Sequence, residues 1–95
     1  MVPLNEIIRC QADVNYTTFF LHNKKKVVIS KTLKEYEEML SEYDFVRVHN
    51  SNLINLHHVS NYTRGEGGVV TMSDGSEVDV SRRKKDEFLE KIAGI

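Results

Sequence analysis

One cysteine, one proline and no tryptophan occur among the 95 residues, and no long apolar run interrupts them. Each shortage closes a class of reading. A lone Cys10 cannot form an internal disulfide, which excludes the cross-linked frameworks of small secreted domains. Nothing approaches the roughly 18 consecutive apolar residues needed to span a bilayer, and no charged, apolar, cleavable leader is visible. A cytoplasmic protein without membrane contact is the expectation. The scarcity of proline, with 40% hydrophobic and 28% charged residues, separates the chain from disordered tails. A chain of 95 residues makes one domain, residues 1–95, around a modest core. Asn-Tyr-Thr occurs at Asn15 and Asn61; without a leader, these asparagines read as structural or ligand-contacting rather than glycosylated.

Signatures of catalysis are also missing. There is no glycine-rich phosphate loop, no Gly-x-Ser-x-Gly and no apolar-flanked carboxylate pair to act as acid and base, so no enzyme and no cofactor are expected. Adjacent His57 and His58, read as strand residues, would point to opposite faces, and no cysteine or carboxylate cluster completes a metal site with them or with His49.

What is present is an uneven distribution of charge. The net charge is −1, but Glu35, Glu37, Glu38, Glu42 and Asp44 crowd one segment while Lys24, Lys25, Lys26, Lys31 and the run from Arg82 to Lys85 carry the opposite sign elsewhere. A two-faced molecule follows.

Patterning gives mostly strands. "EIIRCQA", "TTFFLH" and "KKVVIS" read as a meander with breaks at Asp13–Tyr16 and Asn23–Lys24. Leu33, Tyr36, Glu37 and Leu40 then follow helical spacing, and Thr32 with Glu35 forms a capping-box pattern. In "FVRVHNSNLINL" the first half alternates, whereas Leu53, Ile54 and Leu56 suit either a short helical turn or a bent strand. "HHVSNYTR", "GGVVTMS" and "SEVDVS" are strands joined by turns at Gly65–Gly68 and Asp74-Gly75. Ser81 stands where an N-cap belongs, ahead of a terminal helix with Phe88, Leu89 and Ile92 at helical spacing.

Two polar stretches carry candidate chemistry. Arg82, Arg83, Lys84 and Lys85 open that last helix, where the partial positive charge of the backbone disfavours cations. Side-chain pairing with Asp86, Glu87 and Glu90 would leave a plain solvated face; an anionic partner would remove the conflict, because arginine donates two parallel bonds to phosphate or guanine. "RVHNSN" collects Arg47, His49, Asn50, Ser51 and Asn52 between apolar flanks. These residue types contact phosphates and base edges, or equally cap turns. Arg47, between Val46 and Val48, is expected to be exposed.

In order, "NYTTFFL", "TLKEYEEML", "FVRVHNSNLINLHHV" and "DGSEVDVSRRKKDEF" resemble the LytTR DNA-binding domain over nearly the whole chain. The resemblance implies an elongated stack of small antiparallel sheets with one short internal helix and a C-terminal helix. It implies an effector domain of a bacterial transcription regulator, commonly preceded by a receiver domain of a two-component system. Double-stranded DNA, at promoter repeats and with two copies able to share one operator, is the implied partner. The family reads DNA through loops entering successive major grooves; by position these fall on Asn15, Tyr16 and Thr17, on Arg47, His49, Asn50 and Ser51, and on Arg82 and Arg83. Arg82, next to Ser81, is the expected base reader beside Asn50. Lys84 and Lys85, deeper in the first turn, are expected on phosphates, and the acidic segment from Glu35 to Asp44 is expected to face away from DNA. A different reading of the same basic face is a protein-interaction module docked on an acidic partner domain.

Overall fold

Alternating apolar and polar residues build the first three strands, β1 (Ile7–Asp13), β2 (Tyr16–Leu21) and β3 (Lys26–Ile29), in a computed structural model that describes residues 2–95. The β2–β3 reversal places Lys24 in the left-handed region at φ 67°, and the Asn23 side chain accepts from the Lys25 amide at 3.0 Å. Helix α1 (Leu33–Leu40) begins with the expected capping box. The Glu35 amide donates to Thr32 Oγ1 at 3.4 Å and the Thr32 amide to Glu35 Oε2 at 2.9 Å, so two otherwise orphaned N–H groups are satisfied reciprocally. Leu33, Tyr36 and Leu40 form its buried stripe.

The chain then enters β4 (Phe45–His49) and β5 (Asn52–Asn55), a hairpin whose turn is Asn50–Ser51. Residues 53–56 combine both conformations left open by the spacing: β5 ends at Asn55, and Leu56–His58 form a single 3-10 turn. The two histidines therefore do not alternate across a strand as expected. His57 Nε2 lies 2.9 Å from Asp44 Oδ2, while His58 bridges Ser73 Oγ and the Asn5 carbonyl, each at 2.7 Å. Strands β6 (Val59–Thr63), β7 (Val69–Met72) and β8 (Glu77–Asp79) follow, and α2 (Lys85–Ala93) closes the chain.

All pairings are antiparallel. Five strands form one sheet in the order β3-β2-β1-β5-β4, and β6-β7-β8 form a second. Side chains leave the larger sheet on both faces into separate apolar layers. Ile7, Cys10, Phe19, Phe45 and Leu53 meet α1 on one face; Ile8, Val46, Val48 and Ile54 meet the smaller sheet and Phe88 of α2 on the other. The architecture is thus mostly β, with one internal and one terminal helix. It extends 33 × 24 × 22 Å, with two small antiparallel sheets stacked as the resemblance implied.

Candidate nucleic-acid interface

Strand pairing brings the polar segments together. The register of β1 against β5 sets Gln11 opposite Asn52, and the Ala12 amide donates to the Ser51 carbonyl at 2.8 Å. The β1–β2 turn with Asn15 and the β4–β5 turn with Asn50 therefore share one end of the larger sheet. The Ser81 amide donates to the Val48 carbonyl at 2.7 Å, which fastens the start of the basic run beside the same turn. Residues more than thirty positions apart meet there: Arg83 Nη2 comes within 3.5 Å of Asn50 Oδ1.

A bulge between Arg47 and His49 separates their directions. Arg47 is not free as alternation suggested. It is partly buried, donates to the carbonyls of Asn50 and His49, and pairs with Glu37 Oε1 at 3.1 Å. It organises the turn from below. His49 turns toward Ser51, whose backbone N–H and hydroxyl lie 3.2 and 3.1 Å from the ring Nδ1. Asn50 stays exposed at the tip.

The basic run does not begin an α-helix directly. Arg82–Lys84 form a 3-10 turn, with α2 starting at Lys85, and Ser81 Oγ makes no capping bond, in contrast to the expected cap. The four cations go four ways. Arg82 pairs with Glu66 at 2.7 Å, although both side chains are mostly exposed; Lys84 pairs with Glu87 at 3.6 Å; Lys85 reaches the Gly65 carbonyl at 3.4 Å; Arg83 reaches the Asn50 side chain of the β4–β5 turn. Glu37, Arg47, His49, Asn50, Arg83 and Lys84 enclose a polar hollow of about 160 Å³.

At the β1–β2 turn Asn15 and Tyr16 are exposed, but Thr17 is fully buried and its hydroxyl donates to the Lys31 carbonyl at 2.7 Å. Thr17 is thereby removed from the candidate surface and becomes an anchor for the turn. Of the acidic segment, Glu37 lines the hollow and pairs with Arg47.

Three side chains at or beside this surface escaped the sequence reading. Arg64 borders a cleft with Tyr62, Lys85 and Leu89, adding a cation beside the basic run. Gln11 and Arg9 line a polar hollow of about 220 Å³ with His49, Ser51 and Asn52. Arg9 lies over the Phe20 ring at 3.9 Å, and burial pulls its guanidinium below its ordinary value while the Asp74 carboxylate counteracts this. An arginine interrupting the apolar run "EIIRCQA" was the available signal. Among the described residues, no group of three or more His, Cys, Asp or Glu is placed to hold a metal ion, and no helix is long and apolar enough to cross a membrane.

Comparison with known proteins adds two findings. The family model for the LytTr DNA-binding domain matches residues 1–93. Among solved structures, the fold is similar to the LytTr DNA-binding domain of a Bacillus cereus protein described as a methyl-accepting/DNA response regulator, with a TM-score of 0.82 at 22% identity, over 99% of this chain and 86% of that one. At that identity the likeness concerns the fold. No curated protein matches.

Proposed function

The chain belongs to the LytTR family of DNA-binding domains, and from that premise we propose that it binds double-stranded DNA sequence-specifically through turns entering the major groove. One observation carries this reading: Arg83, Asn50 and His49 converge at one end of the larger sheet, with the Asn15 turn beside them. Arginine matches guanine O6 and N7, asparagine matches adenine N6 and N7, and both residues stand at exposed turn positions. Flanking Arg82, Lys84, Lys85 and Arg64 supply cations for phosphates, while Tyr16 and Asn15 extend the footprint along the duplex.

The distribution of partners supports a division of roles. Arg83, whose one polar contact is at the outer limit of a hydrogen bond, is the base reader in place of Arg82. Arg82 exchanges Glu66 for a phosphate. In the cell the domain serves as the cytoplasmic, non-catalytic effector of a transcription regulator in a two-component system, following a receiver domain and binding promoter repeats as a pair of copies.

The test is binding to an operator selected from a random DNA pool, followed across salt concentrations. Log affinity is expected to fall with log salt at about −0.9 per neutralised phosphate, and scrambled DNA to bind more weakly than the operator. Flat salt dependence, or a pool that yields no preferred sequence, would overturn the reading; specific capture of an acidic protein domain by the same face would favour a protein-docking module instead.

A further inference from the structure

A hydrogen-bond chain runs from the central strand of the larger sheet, β1, to His49. Arg9 Nη1 donates to Gln11 Oε1 at 2.8 Å and to Asn52 Oδ1 at 3.4 Å. A guanidinium has no acceptor, so Asn52 must turn its oxygen toward Arg9 and its amide nitrogen away. That nitrogen meets Ser51 Oγ at 3.4 Å. Having accepted from Asn52, the Ser51 hydroxyl directs its own proton to His49 Nδ1 at 3.1 Å, where the Ser51 backbone N–H also donates at 3.2 Å. A ring nitrogen that accepts two donors carries no proton. The neutral imidazole therefore holds its proton on Nε2, an assignment that follows from the hydrogen bonds around the ring.

We propose that Arg9, acting through Asn52 and Ser51, is a positioning residue that reinforces the Ser51 backbone N–H in fixing His49 as a hydrogen-bond donor and so gives it a preference for the acceptor atoms of guanine, adenine or thymine over cytosine, whose major-groove edge offers only an amino donor. This rests on the DNA-binding reading. Arg9 itself is held within the fold, over Phe20 and against Ser76 Oγ at 3.3 Å, and needs no contact with DNA to act. In the major groove, guanine N7 and O6, adenine N7 and thymine O4 are acceptors that Nε2–H matches, whereas cytosine presents only its amino donor.

Two measurements test it. Nitrogen NMR of the DNA-free domain is expected to place the His49 proton on Nε2, with the Nδ1–H form becoming populated in Arg9→Met and in Asn52→Ala. Competition between operator and scrambled DNA is expected to show Arg9→Met losing roughly five- to tenfold in discrimination, the scale of one base contact, with the salt slope unchanged. Arg9→Lys, which keeps a donor in place, retains most of it. In a His49→Ala background Arg9→Met should cost no further discrimination, because a residue acting through another is silent once that other is gone. Melting temperatures identify any variant that fails to fold, and Asn52→Ala interrupts the chain while leaving Arg9 on Phe20. A proton on Nδ1 in the unaltered domain, an imidazole unchanged in both variants, additive losses in the double variant, or a slope reduced by about 0.9 would each overturn the proposal, the last by making Arg9 a phosphate contact. Should the unaltered domain bind no DNA, the parent reading fails, while the imidazole spectra still decide how His49 is held.

Discussion

Arg83 and Asn50 are separated by 33 positions, yet the guanidinium of one stands 3.5 Å from the side-chain oxygen of the other. A bond at that distance is weak and readily exchanged. It holds the two groups in register without consuming either: Arg83 keeps further N–H donors, and Asn50 keeps its amide donor. Because neither needs to break a strong contact, both can turn to a base edge at little cost.

Arg83→Ala is expected to cost about 1–3 kcal/mol on the operator and to relax base preference, since each good bidentate contact contributes that much discrimination. Arg82→Ala and Lys85→Ala should weaken operator and scrambled DNA by similar factors and reduce the salt slope. Competition binding of the three variants separates them. A larger loss of discrimination in Arg82→Ala than in Arg83→Ala would reverse the assignment.

Glu37→Gln removes the anion that pairs with Arg47. A partly exposed pair contributes about 0.2–1 kcal/mol, so the melting temperature should fall only slightly. Affinity for any DNA at low salt should rise, because a negative charge leaves the rim of the surface. Glu38→Gln and Glu42→Gln, at exposed positions outside the polar hollow, should leave binding unchanged. Unaltered low-salt affinity in Glu37→Gln would place the rim farther from the phosphates than inferred.

Asn55 is buried, donating to the Ile7 carbonyl at 2.9 Å and accepting from the His57 amide at 3.0 Å. Asn55→Ala strands both backbone partners and should cost about 1–3 kcal/mol. Urea unfolding should show a lower midpoint with an unchanged slope.

Burial pushes the Cys10 thiol up to about 12, the nearby Arg9 charge only partly opposing it. The folded domain should resist alkylation at pH 8 and react when unfolded. The linkage sign is that of an acid raised on folding. Above about pH 8.5 the unfolded chain sheds a proton that the folded chain keeps, so stability declines from there toward pH 12. Cys10→Ala should flatten that alkaline decline even if it lowers stability at neutral pH.

Much of the fold was legible because local chemistry and tertiary packing agree. The Thr32–Glu35 box, the alternation of β1, β2 and β7, and the Asp74-Gly75 turn each specify their own conformation. The site was legible as residue types in two polar stretches but not as partnerships. Alternation cannot anticipate that a bulge between Arg47 and His49 turns one toward α1 and the other toward Ser51. Nor does a threonine beside a polar turn disclose that its hydroxyl is needed by Lys31 inside the fold. The different surroundings of Arg82 and Arg83 follow from a 3-10 turn that sequence spacing reads as ordinary helix. Arg9 was invisible for a related reason: its role is set by strand register against β5, which joins residues 43 positions apart.

The two apolar layers on opposite faces of the larger sheet also bear on how long a complex with DNA lasts. Arg82 to Lys85 are carried by the half that contains α2 and β8, a strand of three residues, whereas the Asn15 turn belongs to the β1–β2 hairpin packed on α1. Short elements with few ladder bonds open first. On the proposed DNA-binding reading, opening of this half would withdraw the basic run while the β1–β2 hairpin stays seated, but it would first have to draw Phe88, fully buried, out of its apolar layer. The residence time on an operator would then depend on the local opening equilibrium of α2 as well as on contacts to DNA, and hydrogen exchange at Phe88 and its neighbours would report on that dependence.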